Sequence, residues 1–269
     1  MKIIKKNSPN HFNGRRETFG ERRLWKADCI CCHQTGNNSL STSLSYYMNK
    51  ASQCCPNFLM DINGDIIYLV DMANGAWANG TALDPSDPKW YGYSTNSLVK
   101  GRKTNANLFT ISIEYVHCQW GNITDAQVQS TVELIKSVII PYMKANGVTP
   151  KIDRQHIFGH SEVSPKTRDP EKFNCPGKKF PYDTIIAGVL GLVDVKPTST
   201  ATAKDKVTFA VGDKVKVLQS ATLYAGSTCP IPAYVKKAQS FTIDRMMSDR
   251  ARLKEIYSWV YLKDLEKIK

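Results

Sequence analysis

The chain lacks any long apolar run. None of its 269 residues falls in a stretch close to the roughly 20 apolar residues that a spanning helix needs. Met1 to Arg16 is polar and basic, without the apolar centre of a secretory leader. The expectation is a protein made in the cytoplasm, with any export by another route. No internal repeat is visible. Eight cysteines are too few and too irregularly placed for a disulfide framework. The adjacent pairs Cys31-Cys32 and Cys54-Cys55 do not easily close on themselves, so free thiols are expected. Acidic residues are also short: 24 Asp and Glu stand against 36 Lys and Arg, for a net charge of +12. That excess favours a polyanionic partner, either nucleic acid or an anionic wall or membrane surface. Charge alone does not choose between them.

What is present is a normal apolar content of 42%, enough for a real core. The first 25 residues read as an irregular basic arm packed at one edge of the fold. Trp25 to His33 reads as a short buried strand, and Asn37 to Lys50 has Leu40, Leu44, Tyr47 and Met48 at helical spacing. Asn57 to Asp61 and Ile66 to Val70 flank Asn63-Gly64, a hairpin signal. Residues 71 to 108 hold no clean period, and so long a loop in a compact domain is usually functional. Leu108 to Val116 is the best strand, rich in β-branched and aromatic residues. Thr124 is placed to cap a helix from Asp125 to Ala145, bent by Pro141 and ended by Gly147. A last helix runs from Pro181 to about Leu192. Strands alternating with helices predict an α/β domain with a mixed central β-sheet flanked by helices over residues 1–192.

The composition changes at Asp194. Residues 193–205 are small, polar and Pro-containing, and read as a linker. Residues 206–269 read as a small all-β barrel. Phe209, Val211, Val215 and Val217 alternate with polar residues, and β-like runs follow at Ala233 to Lys237, Ser240 to Arg245, Arg250 to Ile256 and Trp259 to Leu262. From residue 205 onward 12 Lys and Arg oppose 7 Asp and Glu, a net +5 for the C-terminal stretch.

Two of the five histidines stand apart from the rest. His33 and His160 each follow an apolar run, which places them at strand ends, where open α/β sheets put their sites. With Cys175 they make two imidazoles and a thiolate, a donor set suited to Zn2+ that leaves the fourth tetrahedral position open. That is a catalytic arrangement. The spacing of Cys29 and Cys32 mimics a CxxC motif, but it lies within a predicted buried strand and has no second CxxC. His160-Ser161-Glu162 matches the HxE of zinc deaminases, yet the Pro-Cys-x-x-Cys they need is missing.

At these residues the chain resembles the zinc-dependent N-acetylmuramoyl-L-alanine amidases of the type-2 amidase family, relatives of the peptidoglycan recognition proteins. Six segments match in order: His33-Gln34-Thr35-Gly36; Asn57-Phe58-Leu59-Met60 with Gly64 to Val70; Ala76-Trp77-Ala78-Asn79-Gly80-Thr81; Asn107 to Glu114; Gly159-His160-Ser161-Glu162-Val163; and Cys175-Pro176-Gly177. In detail it resembles clostridial autolysins and the endolysins of their phages. The resemblance implies cleavage of the amide between N-acetylmuramate and the L-alanine of the stem peptide, with Zn2+ as cofactor and bacterial peptidoglycan as partner. It implies Glu114 as general base. The strand pattern sets Glu114 opposite Ile111 and Ile113. Arg168 or Lys166 would stabilise the oxyanion, and Trp77, Asn79 and Trp90 would line the cleft.

Two departures from the family stand out. Asn57 takes the place of the histidine usual before the phenylalanine and is read as a pocket residue. The stretch after His160 is longer than usual, and Asp169 in Arg168-Asp169-Pro170 is a rival third ligand to Cys175. Cys175 is preferred because Cys-Pro-Gly-x-x-Phe-Pro matches intact.

The C-terminal module resembles a bacterial SH3-like domain through Phe209-x-Val211-Gly212-Asp213-x-Val215-x-Val217, with Tyr224, Tyr234, Trp259 and Tyr261 as wall-contact candidates. Anionic wall polymers are a second candidate partner, and nucleic acid is not expected. The competing functions are a non-catalytic peptidoglycan-recognition protein and a cysteine-dependent amidase or peptidase using Cys32 or Cys175. The missing leader points to a phage endolysin delivered through a membrane lesion. Nothing in the sequence sets the oligomeric state.

Overall fold

The computed structural model describes residues 1–16, 23–79, 93–117, 121–164, 175–195, 209–226, 229–247 and 249–268. The chain divides into two compact units, Met1–Thr198 and Ser199–Lys269. Among the described residues no helix is long and apolar enough to cross a membrane.

The first unit is built on six strands: β1 (Ile3–Lys5), β3 (Cys29–Gln34), β4 (Phe58–Met60), β5 (Ile66–Tyr68), β7 (Thr110–Tyr115) and β8 (Ile157–Gly159). A separate two-stranded ribbon pairs β2 (His11–Phe12) with β6 (Gly75–Ala76). The six-stranded sheet has the order β1-β5-β4-β7-β3-β8. Only the β4–β5 hairpin is antiparallel; the other four pairings are parallel. The sheet is therefore mixed, as the alternation of elements predicts. The two central strands β3 and β7 are buried along their whole length; β3 opens on the apolar run Cys29 to Cys32, while β7 alternates Ile111, Ile113 and Tyr115 with Thr110, Ser112 and Glu114.

Each face of the sheet has its own cover. Ile30, Cys32, Phe58, Met60, Ile111, Ile113 and Tyr115 point to one face. There they meet α3 (Asp125–Leu134), α4 (Ile140–Ala145) and α6 (Tyr182–Leu190). The helix predicted over 125–145 opens on a capping box between Thr124 and Gln127. Pro141, at the start of α4, has no N–H for the ladder, and a π-helical turn at Ile135–Ile139 precedes it. On the other face Cys29, Cys31 and Leu59 meet α1 (Leu40–Met48), α2 (Ser97–Arg102) and α5 (His160–Val163). Helix α2 lies in the stretch where the sequence shows no period. It is six residues long, capped by the Asn96 side chain, too short for a periodic signal.

The second unit is a five-stranded antiparallel sheet. Its strands are β9 (Lys214–Val217), β10 (Phe241–Met246), β11 (Arg250–Leu253), β12 (Ser258–Tyr261) and β13 (Leu265–Lys267), in the order β12-β11-β10-β9-β13. Val215, Val217, Phe241, Ile243, Leu253 and Val260 fill its core. One expectation is corrected here. Ala233–Lys237 is a short helix, α7, rather than a strand. Pro232 fixes the backbone ahead of it, and only Val235 of the five residues is buried, which a half-buried strand would not allow.

Candidate metal centre

The parallel register of β3 and β7 makes His33 the direct neighbour of Glu114. On the far side of β7, Glu114 pairs with Leu59. On the far side of β3, Cys32 pairs with Gly159, so the next residue, His160, comes level with His33. One rung across the sheet thus presents Leu59, Glu114, His33 and His160. Side chains alternate along a strand, and this rung points away from the Ile111 and Ile113 face, as the sequence pattern predicts for Glu114.

The third donor arrives from a loop. Cys175 Sγ lies 3.9 Å from His33 Nδ1, and the His33 and His160 rings are 4.7 Å apart at 60°. Nδ1 or Nε2 of both histidines and the Cys175 sulfur all lie within 4.8 Å of one another, and all three residues are buried. Zinc bonds of about 2.0–2.1 Å to nitrogen and about 2.3 Å to sulfur put tetrahedral donors about 3.3–3.6 Å apart. The sulfur–imidazole pair is a few tenths of an ångström outside that. Two imidazoles and a thiolate are soft-to-borderline donors; calcium and magnesium take oxygen instead. The donor types fit zinc, and three donors within 4.8 Å of one another are near enough to converge on one ion.

The supports of the three donors are backbone contacts. Ser161 N–H, one residue after His160, donates to the Cys175 carbonyl at 2.9 Å, and Gln34 N–H, one residue after His33, donates to the Cys175 sulfur at 3.4 Å. The Cys175–Pro176 peptide is cis. This loop packs directly on Gly159, where a Cβ would come within 2.7 Å of Pro176 Cδ. Glu162 holds the start of α5. Its carboxylate accepts from Gly159 N–H at 2.8 Å and from Arg154 at 2.9 Å. Its carbonyl accepts from the Ser94 hydroxyl and from Thr95 N–H.

Glu114 is 7% exposed and does not stand alone. The buried Tyr47 phenol, on α1, feels its charge. Burial pushes that phenol well above its ordinary pKa, and the Glu114 charge adds to the shift. Tyr47 reads in the sequence only as one of several apolar helix positions; nothing in its spacing singles it out.

The predicted cleft residues have less open positions. Asn57 is fully buried, its amide donating to the Val70 carbonyl and accepting from Ser112 N–H, so it ties β4 to β7 beneath the site. Asn79 is equally buried, donating to the Thr110 hydroxyl at 2.6 Å. Trp77 is half-buried and packs edge-on against Phe12. Trp90, Lys166, Arg168 and the rival ligand Asp169 lie outside the described residues. The CxxC look-alike dissolves in the fold. Cys29 and Cys32 point to opposite faces of the sheet, and all described cysteines are free.

A family model described as N-acetylmuramoyl-L-alanine amidase matches residues 24–178. The 1,6-anhydro-N-acetylmuramyl-L-alanine amidase AmpD of Haemophilus influenzae is 28% identical over 144 residues, covering 54% of this chain and 61% of that protein. The match thus spans less than two thirds of that relative. Among solved structures, PlyL aligns with 16% identity and a TM-score of 0.45, over 73% of this chain and 99% of that one. The amidase LysC of Clostridium intestinale aligns with 14% identity and a TM-score of 0.39, over 71% and 98%. The family match takes in His33, Glu114, His160 and Cys175 and covers more than half of the chain, which therefore belongs to the N-acetylmuramoyl-L-alanine amidase family.

Proposed function

We propose that this chain is a zinc-dependent peptidoglycan hydrolase. It cuts the amide between the lactyl group of N-acetylmuramate and the L-alanine of the stem peptide. The observation that carries the reading is the single sheet rung that sets a buried carboxylate beside two imidazoles, with a thiolate closing the group. His33, His160 and Cys175 would hold the metal. Zinc, when bound, supplies Lewis acidity: it polarises a carbonyl and brings the pKa of water toward about 7. Glu114 takes the proton of the attacking water and returns it to the leaving amine, so the carboxylate ends the cycle unchanged. A hydrogen bond from the Tyr47 phenol would hold the carboxylate in place between the two transfers. Arg168 or Lys166 is assigned to the oxyanion, on the family resemblance alone.

The host reading follows the same resemblance: an endolysin acting on a Gram-positive, clostridial-type wall. The second unit, read as an SH3-like module, would keep the enzyme on that wall.

Zinc content and wall lysis test the reading in wild type, His33→Ala and Glu114→Gln. His33→Ala should lose both metal and lysis. Glu114→Gln should keep its zinc and lose about 10²- to 10⁴-fold in turnover, the usual share of general acid–base catalysis. Retained lysis in His33→Ala would sink the metal mechanism. Comparing zinc in Cys175→Ala and Asp169→Ala separates the two third ligands. A second reading, a cysteine nucleophile with a histidine base, draws on the 3.9 Å approach of Cys175 to His33. Lysis that survives a chelator but not iodoacetamide would favour it.

A further inference from the structure

Gln34 is a buried amide at the last position of β3, 3% exposed. A buried amide is costly unless its hydrogen bonds are made. Both ends of this one are in use. Nε2 donates to the His117 carbonyl at 3.2 Å, and Oε1 accepts from Gly121 N–H at 2.9 Å. The side chain therefore holds His117 and Gly121, in the segment that follows β7.

That segment in turn holds the Cys175 loop. Gly121 N–H also donates to the Pro176 carbonyl at 2.7 Å. The backbones are in close contact there: a Cβ on Gly121 would meet Lys179 N at 2.8 Å and Gly177 C at 3.2 Å, and Gly121 has a φ of +82°. Only glycine supplies both the space and the left-handed backbone. Meanwhile the Gln34 backbone N–H points at the Cys175 sulfur. One residue, adjacent to the first donor, thus braces the third donor from two directions.

We propose that Gln34 is a positioning residue for Cys175. Through Gly121 it sets where the thiolate stands relative to His33. The proposal rests on the zinc reading given above. It adds to that reading a residue that touches neither metal nor substrate. The general expectation for such supports is a loss of about 10- to 100-fold in metal affinity when they are removed.

The test uses the full chain stripped of metal and titrated with Co2+, whose thiolate charge-transfer band reports sulfur ligation directly. Gln34→Met keeps the volume and removes both hydrogen bonds. It should bind Co2+ and Zn2+ about 10- to 100-fold more weakly. Its thiolate band, measured per bound cobalt, should be weaker than wild type. A residue that merely stabilised the fold would shift the melting temperature without changing that band. Gln34→Asn keeps the amide but is one methylene too short to reach both His117 and Gly121; it carries the same test if Gln34→Met does not fold. Wild-type affinity and an unchanged band in either variant overturn the proposal. A wild type that binds no Co2+, or binds it without a thiolate band, removes the metal reading itself and this proposal with it. That result is distinct from normal wild-type binding with an indifferent Gln34.

Discussion

At the scale of single residues, the site depends on groups whose role is set by their neighbours. Tyr47 is the clearest. Its hydroxyl is far from titrating, so toward the Glu114 carboxylate it can act only as a donor. Hydrogen bonds to charged groups are worth about 1.5–3 kcal/mol. Tyr47→Phe should therefore lower turnover by roughly 10- to 100-fold while zinc content stays at wild type. Unchanged turnover would show that Glu114 needs no such partner. The buried thiols make a second prediction. Burial pushes Cys32 and Cys55 up to about 12, from 9.0 for an unhindered thiol. The folded state then keeps protons that the unfolded chain releases. Their stabilisation is complete below pH 9 and is lost as pH rises from about 9 to about 12. The unfolding free energy of the metal-free protein should fall across that window by about 1.4 kcal/mol per pH unit for each such thiol, read as a falling melting temperature. A flat profile from pH 8 to 11 would contradict it.

At the scale of elements, legibility follows how local the cause is. Strand β7 is legible because Thr110 to Tyr115 is rich in β-branched and aromatic residues, and the start of α3 because Thr124 and Gln127 form their cap within four residues. Helix α7 was misread because Ala233–Lys237 is too short for either period to declare itself. The pairing of His33 with Glu114 joins positions far apart in the chain, and no local pattern encodes that register. The histidines and the carboxylate could be nominated from sequence, while Tyr47 and Gln34 could not, because their roles exist only after α1 and the Cys175 loop have docked. Gly159 shows the same limit. Its backbone conformation, φ −99° and ψ 159°, suits any residue, so its need is purely one of space. Gly159→Ala should push the Tyr182 hydroxyl, Pro176 and the Cys175 carbonyl away from β8. The expected result is weaker zinc binding with His33 and His160 intact, read by zinc titration of the metal-free protein. Wild-type affinity in Gly159→Ala would mean that the loop is held elsewhere.

At the scale of the whole molecule, the proposed chemistry and the proposed retention would fall to separate units. The first unit carries all four site residues, the family match and its own apolar core. The second has an independent core around Val215, Phe241, Ile243 and Val260, and it carries the +5 excess counted from residue 205. If its role is retention on an anionic wall, it raises local substrate concentration without touching the reaction. A chain ending at Thr198 should then cleave a small soluble muropeptide at the rate of the full protein. On intact wall it should be slower. The advantage of the full chain should shrink as salt rises, because exposed charges more than about 10 Å apart are screened at 0.1 M ionic strength. The measurement is a paired assay, soluble substrate against purified wall, at two ionic strengths. Equal rates on wall for both chains would refute retention by the second unit. A loss on the soluble substrate would show instead that the second unit contributes to the site.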